Sequence, residues 1–500
     1  MLDFAIIGAG PAGLQMAYCL NNKCSYEVFE KSDAIASSFS MYPRHRKLIS
    51  INKRFTGSSD PDYNLRHDWN SLLAKDGPKF TDYDKELFPN ADSMCRYLED
   101  FKQHHGLNVS LNCGISKIEK SGAKFRLTLE NGRVKEAACV IVATGLHTVN
   151  VPDIPGIEHA EQYANVSIDS EKFENKRVLI IGKGNSAFES ADHIAGSAAL
   201  IHLCSPEPLQ FAWKTHYVGH LRAVNNNILD MYQLKSQHAL LDARISAISP
   251  TANHQLEVTL EYCHAENEIE RIVYDSVICC AGFKLDTSIF ARNCMPDTQY
   301  NGKYPSLTHS FESSNISNLY FAGTLMHGLD YQKSTSGFIH GFRYNVKAMA
   351  QILLEKFQDV APPESENLLS KSEVLATLFK RINSNSGLWQ QPAFLADFFV
   401  FKEQQLIHHQ DMPKQYGLQK FNQYQMIALT FEYGIRCSMR RTIQLKTTWS
   451  SFSSYWMKVA FVLLPNKLQD SIFQAVLQRI RYAIQHAATE PGTFSQLPNQ

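Results

Sequence analysis

From Phe4 to Leu20 the chain reads Phe-Ala-Ile-Ile-Gly8-Ala-Gly10-Pro11-Ala12-Gly13-Leu-Gln-Met-Ala-Tyr-Cys-Leu. Four apolar residues make a short buried strand, three glycines follow at once, and the residues after them carry helical apolar spacing. Each glycine has its own task. Gly8 permits the sharp turn, Gly10 lets the backbone approach a pyrophosphate, and Gly13 lets helix and strand pack closely, while the helix N-terminus faces the phosphate charge. Tyr26-Glu-Val-Phe-Glu30 reads as the second strand, and its terminal Glu30, with Lys31 beside it, stands where a carboxylate holds ribose hydroxyls. An acid there favours an unphosphorylated adenosine ribose, hence FAD or NAD at this first site.

The design recurs. Arg177-Val-Leu-Ile-Ile181 leads into Gly182-Lys-Gly184-Asn185-Ser186-Ala187 and a helical run. The next strand ends at Ser205, whose hydroxyl can bond a 2′-phosphate, so NADPH is expected here ahead of NADH. Ala138 to Val142 runs into Ala143-Thr144-Gly145, and Ser276 to Cys280 into Ala281-Gly282. Asn318-Leu-Tyr-Phe-Ala-Gly323 is a further strand, and Ser336-Gly337-Phe338 opens another helix whose N-terminus can face the flavin or its pyrophosphate. The fold expected is α/β, with two Rossmann-like dinucleotide-binding domains. The FAD domain is discontinuous, 1-165 and 275-355, with the NAD(P)H domain, 170-274, inserted. After Ala361-Pro-Pro363 the spacing over Leu368 to Ile382 and Leu468 to Ala488 predicts a mainly helical C-terminal region, 363-500. Its aromatic-rich stretch, Trp389 to Tyr433, is expected to pack on the flavin domain, with a cap over the active site, a dimer face or a membrane contact as competing readings.

Composition agrees with a folded enzyme and removes several classes. Five hundred residues with 44% hydrophobic and 20% charged side chains fit neither a disordered nor a fibrous chain. Forty-nine basic against forty-nine acidic residues leave no net field to attract nucleic acid. Eleven cysteines contain no Cys-x-x-Cys pair, which argues against a disulfide framework, a zinc ribbon and a disulfide reductase. No metal is expected. No run approaches the roughly 20 apolar residues that cross a bilayer, and the start on a strand suggests a cytoplasmic protein.

Longer stretches carry a resemblance. Tyr42-Pro-Arg-His-Arg-Lys-Leu-Ile-Ser-Ile-Asn52-Lys-Arg-Phe-Thr-Gly57, Asn64-Leu-Arg-His-Asp-Trp-Asn-Ser-Leu-Leu73, Thr215-His-Tyr-Val-Gly219 and Gly337-Phe-Ile-His-Gly-Phe-Arg-Tyr344 resemble the FAD-dependent oxidoreductase domain-containing protein 2 family, within the wider layout of class B flavoprotein monooxygenases. That resemblance implies FAD, a nicotinamide nucleotide and hydride transfer between them. It also implies that Asn52 approaches the reactive edge of the flavin, against a turn-forming asparagine as the competing reading. Lys333, just before the flavin-facing helix, is a candidate for steering an oxidised substrate, against a solvated loop lysine. The aromatic run Phe211 to Tyr217, with Lys214 and His216, is read as a cover for nucleotide or substrate, against packing of the domain interface, and His340 and Arg343 as supports of the flavin helix or its phosphates.

The activity expected is a single-component FAD-dependent monooxygenase. It is reduced by NADPH and uses a flavin hydroperoxide to oxygenate a small organic substrate, aromatic ones included, with molecular oxygen as co-substrate. A flavin-dependent brominase of phenols, a redox flavoprotein acting through a protein partner, and a plain reductase stay open, as does a homo-oligomer.

Overall fold

The computed structural model describes residues 1–211, 217–234, 238–358, 366–368, 371–402, 405–433, 442–446 and 457–464. Lys214, His216, Arg436, Arg440, Arg441 and the Leu468 to Ala488 period lie outside them.

The first sheet begins with the strand Leu2–Ile7, which pairs in parallel with Tyr26–Phe29 on one side and Val134–Val142 on the other. Leu319–Phe321 returns to this sheet against Val140 to Val142. Both faces are covered, which is why these strands are continuously apolar. Phe4, Ile6, Val28 and Ile141 face a core that includes the helices Pro11–Leu20 and Ile339–Gln358. Ala5, Ile7, Phe29 and Val142 face a second core on the opposite side.

The second sheet comes from residues between those two pieces. Its parallel centre is Arg177–Ile181 flanked by Leu200–Ser205 and Ser276–Cys279, and it ends in the antiparallel strands Leu256–Tyr262 and Ile269–Tyr274. Two boundaries need correction. Glu161–Gln162 and Ser276–Cys279, assigned by sequence to the FAD domain, pair with each other and sit in the second sheet. The reason is register: Ile278 and Cys279 lie opposite Ile180 and Ile181, so the strand before Ala281-Gly282 completes the second turn's sheet.

The C-terminal region also departs from expectation. The helix Lys371–Ser384 forms where helical spacing placed one, but the segment just before it and five strands after it build a six-stranded antiparallel sheet in the order 366–368, 405–413, 395–402, 425–433, 457–464, 442–446. The run Leu395–Lys402 alternates. Leu395 and Phe399 join one core with Leu388, Ile427 and Leu429, while Ala396, Phe398 and Val400 join another with Met426 and Ala428. Aromatic and β-branched residues with period 2 suit a strand covered on both faces, and a contiguous apolar run conceals that period. Tyr344 of the long helix belongs to the first of these cores, which docks the sheet on the first unit.

Candidate functional site

The two glycine turns have the same construction. Gly8 has φ +102, and a Cβ there would lie 2.8 Å from the Ala143 carbonyl oxygen; one on Gly13 would lie 2.0 Å from the Gly8 oxygen. Only hydrogen fits at either place. A Cβ on Gly10, by contrast, meets nothing within 4 Å, and Gly10 caps the helix Pro11–Leu20 without a side-chain acceptor. The turn therefore presents backbone N–H groups to open space, the arrangement a pyrophosphate requires. Gly182 has φ +119 and would place a Cβ 2.5 Å from the Cys280 oxygen; Gly184 is open and likewise an uncapped N-cap. Asn185 there has a buried Oδ1 without a hydrogen-bond donor, and Ser186 starts the helix beside it.

At the end of the second strand, buried Glu30 accepts the Ala9 N–H at 2.7 Å through Oε2 and the Ser32 N–H through Oε1. Its carboxylate thus lies against the first turn, within reach of a ribose. Lys31 is turned to the surface and pairs with Glu130. Ala143 and Thr144 pack against Gly8, Gly145 at φ +70 faces open space, and Gly323, at φ +73, sits so close to Ala12 that a Cβ would come within 2.6 Å of its methyl. A dinucleotide such as FAD fits this cradle: free helix N–H groups, a glycine without neighbours and a terminal acid.

The second unit holds a cation that sequence reading passed over. Lys183, buried inside the glycine turn, reaches the Ser205 and Glu207 carbonyl oxygens at 3.3 and 3.2 Å and pairs with Asp242. Ser205 itself donates to the Glu207 carbonyl. The three N–H donors of Lys183 are thus all taken within the protein and Asp242 balances its charge, so Lys183 braces the end of this strand. The lysine occupies a variable position of the motif, so no pattern could have singled it out.

Between the units lies a buried polar cluster. Asn52 is 5% exposed and its hydrogen bonds run elsewhere, from Nδ2 to the Asp84 carbonyl at 2.7 Å and from its backbone N–H to the Leu87 carbonyl, while its Oδ1 has no donor. Lys333 is exposed, and the buried charge of its loop is Asp330, whose Oδ2 accepts from Ser336 at 3.2 Å. Ser336, fully buried, also accepts from Asn345 and Gln391, each at 3.0 Å. Gly337 lies against the His327 ring, where a Cβ would come within 3.3 Å. The ring of Tyr217, from the second unit's loop, stacks on His327 at 5.1 Å and approaches Phe338 at 5.8 Å. Burial, with Lys303 adding to it, pushes His327 down to about 3, and burial pushes Asp330 up to about 7. Arg343 is fully buried and donates to the Ser71 and Leu65 carbonyls, while His340 stacks on Trp69. Both tie the long helix to the 65–71 segment rather than to a phosphate.

The C-terminal sheet region reaches this cluster. Thr335 donates to the Gln390 carbonyl at 2.6 Å, Arg66 donates to the Asn385 carbonyl at 2.9 Å, and Gln391 joins Ser336 and Asn345. Sequence separations of 46 to 319 residues hid these contacts. One group of possible metal ligands occurs among the described residues, Asp76, His104 and His105, within 4.8 Å of one another at the surface. No described helix is long and apolar enough to cross a membrane.

Comparison with known proteins follows the same lines. A family model described as pyridine nucleotide-disulphide oxidoreductase matches residues 5–323. FAD-dependent oxidoreductase domain-containing protein 2 of Mus musculus is 40% identical over 431 residues, 80% of this chain and 64% of that protein. The Danio rerio protein of the same name is 35% identical over 87% of this chain and 71% of its own length. The chain therefore spans about two thirds of these relatives. Indole-3-pyruvate monooxygenase YUCCA1 of Oryza sativa is 28% identical over 37% of this chain and 43% of its own. Among solved structures, the FAD-bound cadaverine monooxygenase DfoA of Erwinia amylovora aligns with TM-score 0.54 at 14% identity, over 72% of this chain and 95% of that one. The bacillithiol disulfide reductase of Bacillus cereus aligns with TM-score 0.52 at 18% identity, over 71% and 99%. The two structures share the fold. The sequence relatives and the family model together establish that this chain is a flavin-dependent oxidoreductase belonging to the FAD-dependent oxidoreductase domain-containing protein 2 family.

Proposed function

We propose that the chain is an NADPH-dependent flavoprotein monooxygenase that inserts one oxygen atom of O2 into a small organic substrate. The observation that carries this reading is the junction where Tyr217, from the second unit's loop, closes on buried His327 and on Phe338 of the first unit. Bound FAD would supply hydride acceptance and reaction with oxygen. The protein holds it with Gly8, Gly10, Gly13 and Glu30, and NADPH with Gly182, Gly184, Asn185, Ser186, Lys183 and Ser205. Asn52 offers its unpartnered Oδ1, and Tyr217 with Phe338 excludes water, as an oxygen-using site requires.

Cysteine chemistry favours this over disulfide reduction. Burial pushes the Cys204 thiol up to about 12 and raises Cys279 and Cys280 as well, whereas an attacking thiol needs a lowered value. The test is NADPH and NADH oxidation by the flavin-loaded protein under oxygen, with phenols and amines as substrates and with bromide added. Oxygenated product formed in step with NADPH supports the reading; a brominated phenol moves the protein to the halogenases. Rapid peroxide release with every substrate, or preference for an artificial acceptor, overturns it.

A further inference from the structure

We propose that His327 and Asp330 form a proton-holding pair at the junction of the two units, supplying the proton consumed with each NADPH oxidised. The proposal rests on the reading of the chain as an NADPH-oxidising flavoprotein, and not on what finally receives the oxygen. His327 is 1% and Asp330 8% exposed, and each has one side-chain atom without a hydrogen bond, Nδ1 of the ring and Oδ1 of the carboxyl. These two atoms face each other at 3.9 Å. That is too long for a direct bond, and a small side-chain movement or a polar atom beside both closes it.

The tautomer follows from the other ring nitrogen. Nε2 accepts the Gln332 N–H at 3.3 Å, so the proton of the neutral ring sits on Nδ1 and points at Asp330. Asp330 is already bonded by Ser336 at Oδ2, which leaves Oδ1 as the oxygen that takes a proton. The other titratable groups around the pair are Lys303, Lys333, Tyr217, Tyr304 and Tyr331. Lys303 further discourages an imidazolium, and Lys333 draws Asp330 back toward ionisation. The carboxyl therefore exchanges its proton near neutrality while the ring stays neutral.

Position makes this proton useful. His327 is packed between the Gly337 backbone, at the start of the flavin-facing helix, and the ring of Tyr217 from the second unit. The balance for oxygenation is substrate–H + O2 + NADPH + H+ giving substrate–OH + H2O + NADP+. Two electrons leave NADPH as hydride, two leave the substrate as its C–H bond becomes C–O–H, and the O–O bond breaks. For any other two-electron acceptor A it is NADPH + H+ + A giving NADP+ + AH2. One proton is required either way, from a site closed to solvent, and Oδ1 of Asp330 is the atom that holds it.

The test uses the flavin-loaded protein with Asp330→Asn, Asp330→Glu and His327→Gln. Asp330→Asn should keep its FAD spectrum and its KM for NADPH, lower the turnover on the order of 10²-fold, and lose the pH dependence near neutrality, with Asp330→Glu restoring part of both. An Asp330→Asn turnover within about twofold of wild type, or a fall with the pH profile unchanged, overturns the pair. Should a variant lose its flavin, infrared difference spectra of the wild-type holoprotein with carbon-13 aspartate decide. A buried carboxyl losing its proton near neutral pH supports the proposal, and its absence overturns it. NADPH oxidation without oxygenated product, but with the pH profile tied to Asp330, sinks oxygenation and leaves the pair standing. If wild type oxidises no NADPH, the function reading fails, and the pair's role in NADPH oxidation fails with it.

Discussion

Alanine placed at Gly10 and at Gly13 should have opposite consequences, and the difference isolates what the first turn is for. A Cβ at Gly13 would lie 2.0 Å from the Gly8 carbonyl oxygen, a backbone atom that cannot swing aside. Relief requires the helix Pro11–Leu20 to move off its strand by more than an ångström, against a core containing Leu14, Met16 and Ala17; overpacking of this kind costs roughly 3 kcal/mol or more. A Cβ at Gly10 touches no protein atom, and φ −80 with ψ −175 suits any L residue. Stability of the flavin-free protein should therefore change by less than about 1 kcal/mol, the small loss of a glycine cap offsetting the gain in chain entropy. The methyl nevertheless stands in the space kept for phosphate. Loss of two charge-assisted backbone hydrogen bonds at about 1.5 kcal/mol each weakens FAD binding on the order of 100-fold. Urea unfolding of the stripped proteins and titration with FAD by fluorescence quenching measure both effects. If Gly10→Ala binds FAD as tightly as wild type, or unfolds as readily as Gly13→Ala, the cradle is wrongly located.

Lys183→Met tests the proposed NADPH site: if the ammonium leaves Asp242 for a 2′-phosphate when the nucleotide binds, the KM for NADPH should rise at least about tenfold and that for NADH far less; an unchanged ratio in steady-state kinetics with both nucleotides removes Lys183 from that site. Arg381 bonds both oxygens of fully buried Asp397, at 2.5 and 2.8 Å, and also Asp411 at 2.7 Å; Asp397→Asn should destabilise the C-terminal unit by about 3 kcal/mol in urea. Burial opposes ionisation of Asp397, and Arg381 and His408 overcome it, so its value falls below the usual range. That stability is present above the unfolded carboxylate value of about 3.9 and disappears as pH falls through the folded one, so acid unfolding monitored by circular dichroism should lose this step in Asp397→Asn. Asp330 has the opposite sign: raised to about 7, it makes the wild type lose stability as pH rises from the unfolded value to the folded one. Asp330→Asn should gain on wild type by about 2 kcal/mol between pH 5 and 7, and a constant difference in melting across that range would contradict the assignment.

The glycine turns were legible because each glycine answers a local steric need: Gly8, Gly13 and Gly182 have carbonyl oxygens where a Cβ would be. Strands of the first sheet were legible because both faces are covered and four apolar residues in a row say so. The same signal misled beyond residue 390, where Phe398-Phe399-Val400-Phe401 contains a period of 2 that an unbroken apolar run does not display. Glu161–Gln162 and Ser276–Cys279 went to the wrong sheet because pairing across more than a hundred residues is set by register, which no window contains. Lys183, His327, Asp330 and Gln391 were missed for one reason. Their chemistry comes from burial and from partners brought by other segments, as Gln391 comes to Ser336 across 55 residues.

That last contact bears on synthesis. Ser336, Asn345 and Thr335 receive Gln391 and Gln390 from the C-terminal unit, and Arg66 receives the Asn385 carbonyl. A ribosome releases the whole first sheet, both turns and the long helix before it has made any of those partners. During that interval Thr335 and Ser336 lack the partners that the C-terminal unit brings, and the nascent flavoprotein is an unfinished vessel whose last wall arrives from the far end of the chain. A chain stopped near residue 358 would keep its glycine turns and leave Thr335 and Ser336 without those partners, so that flavin retention and a closed junction would part company in a way that hydrogen exchange over 330–345 can follow.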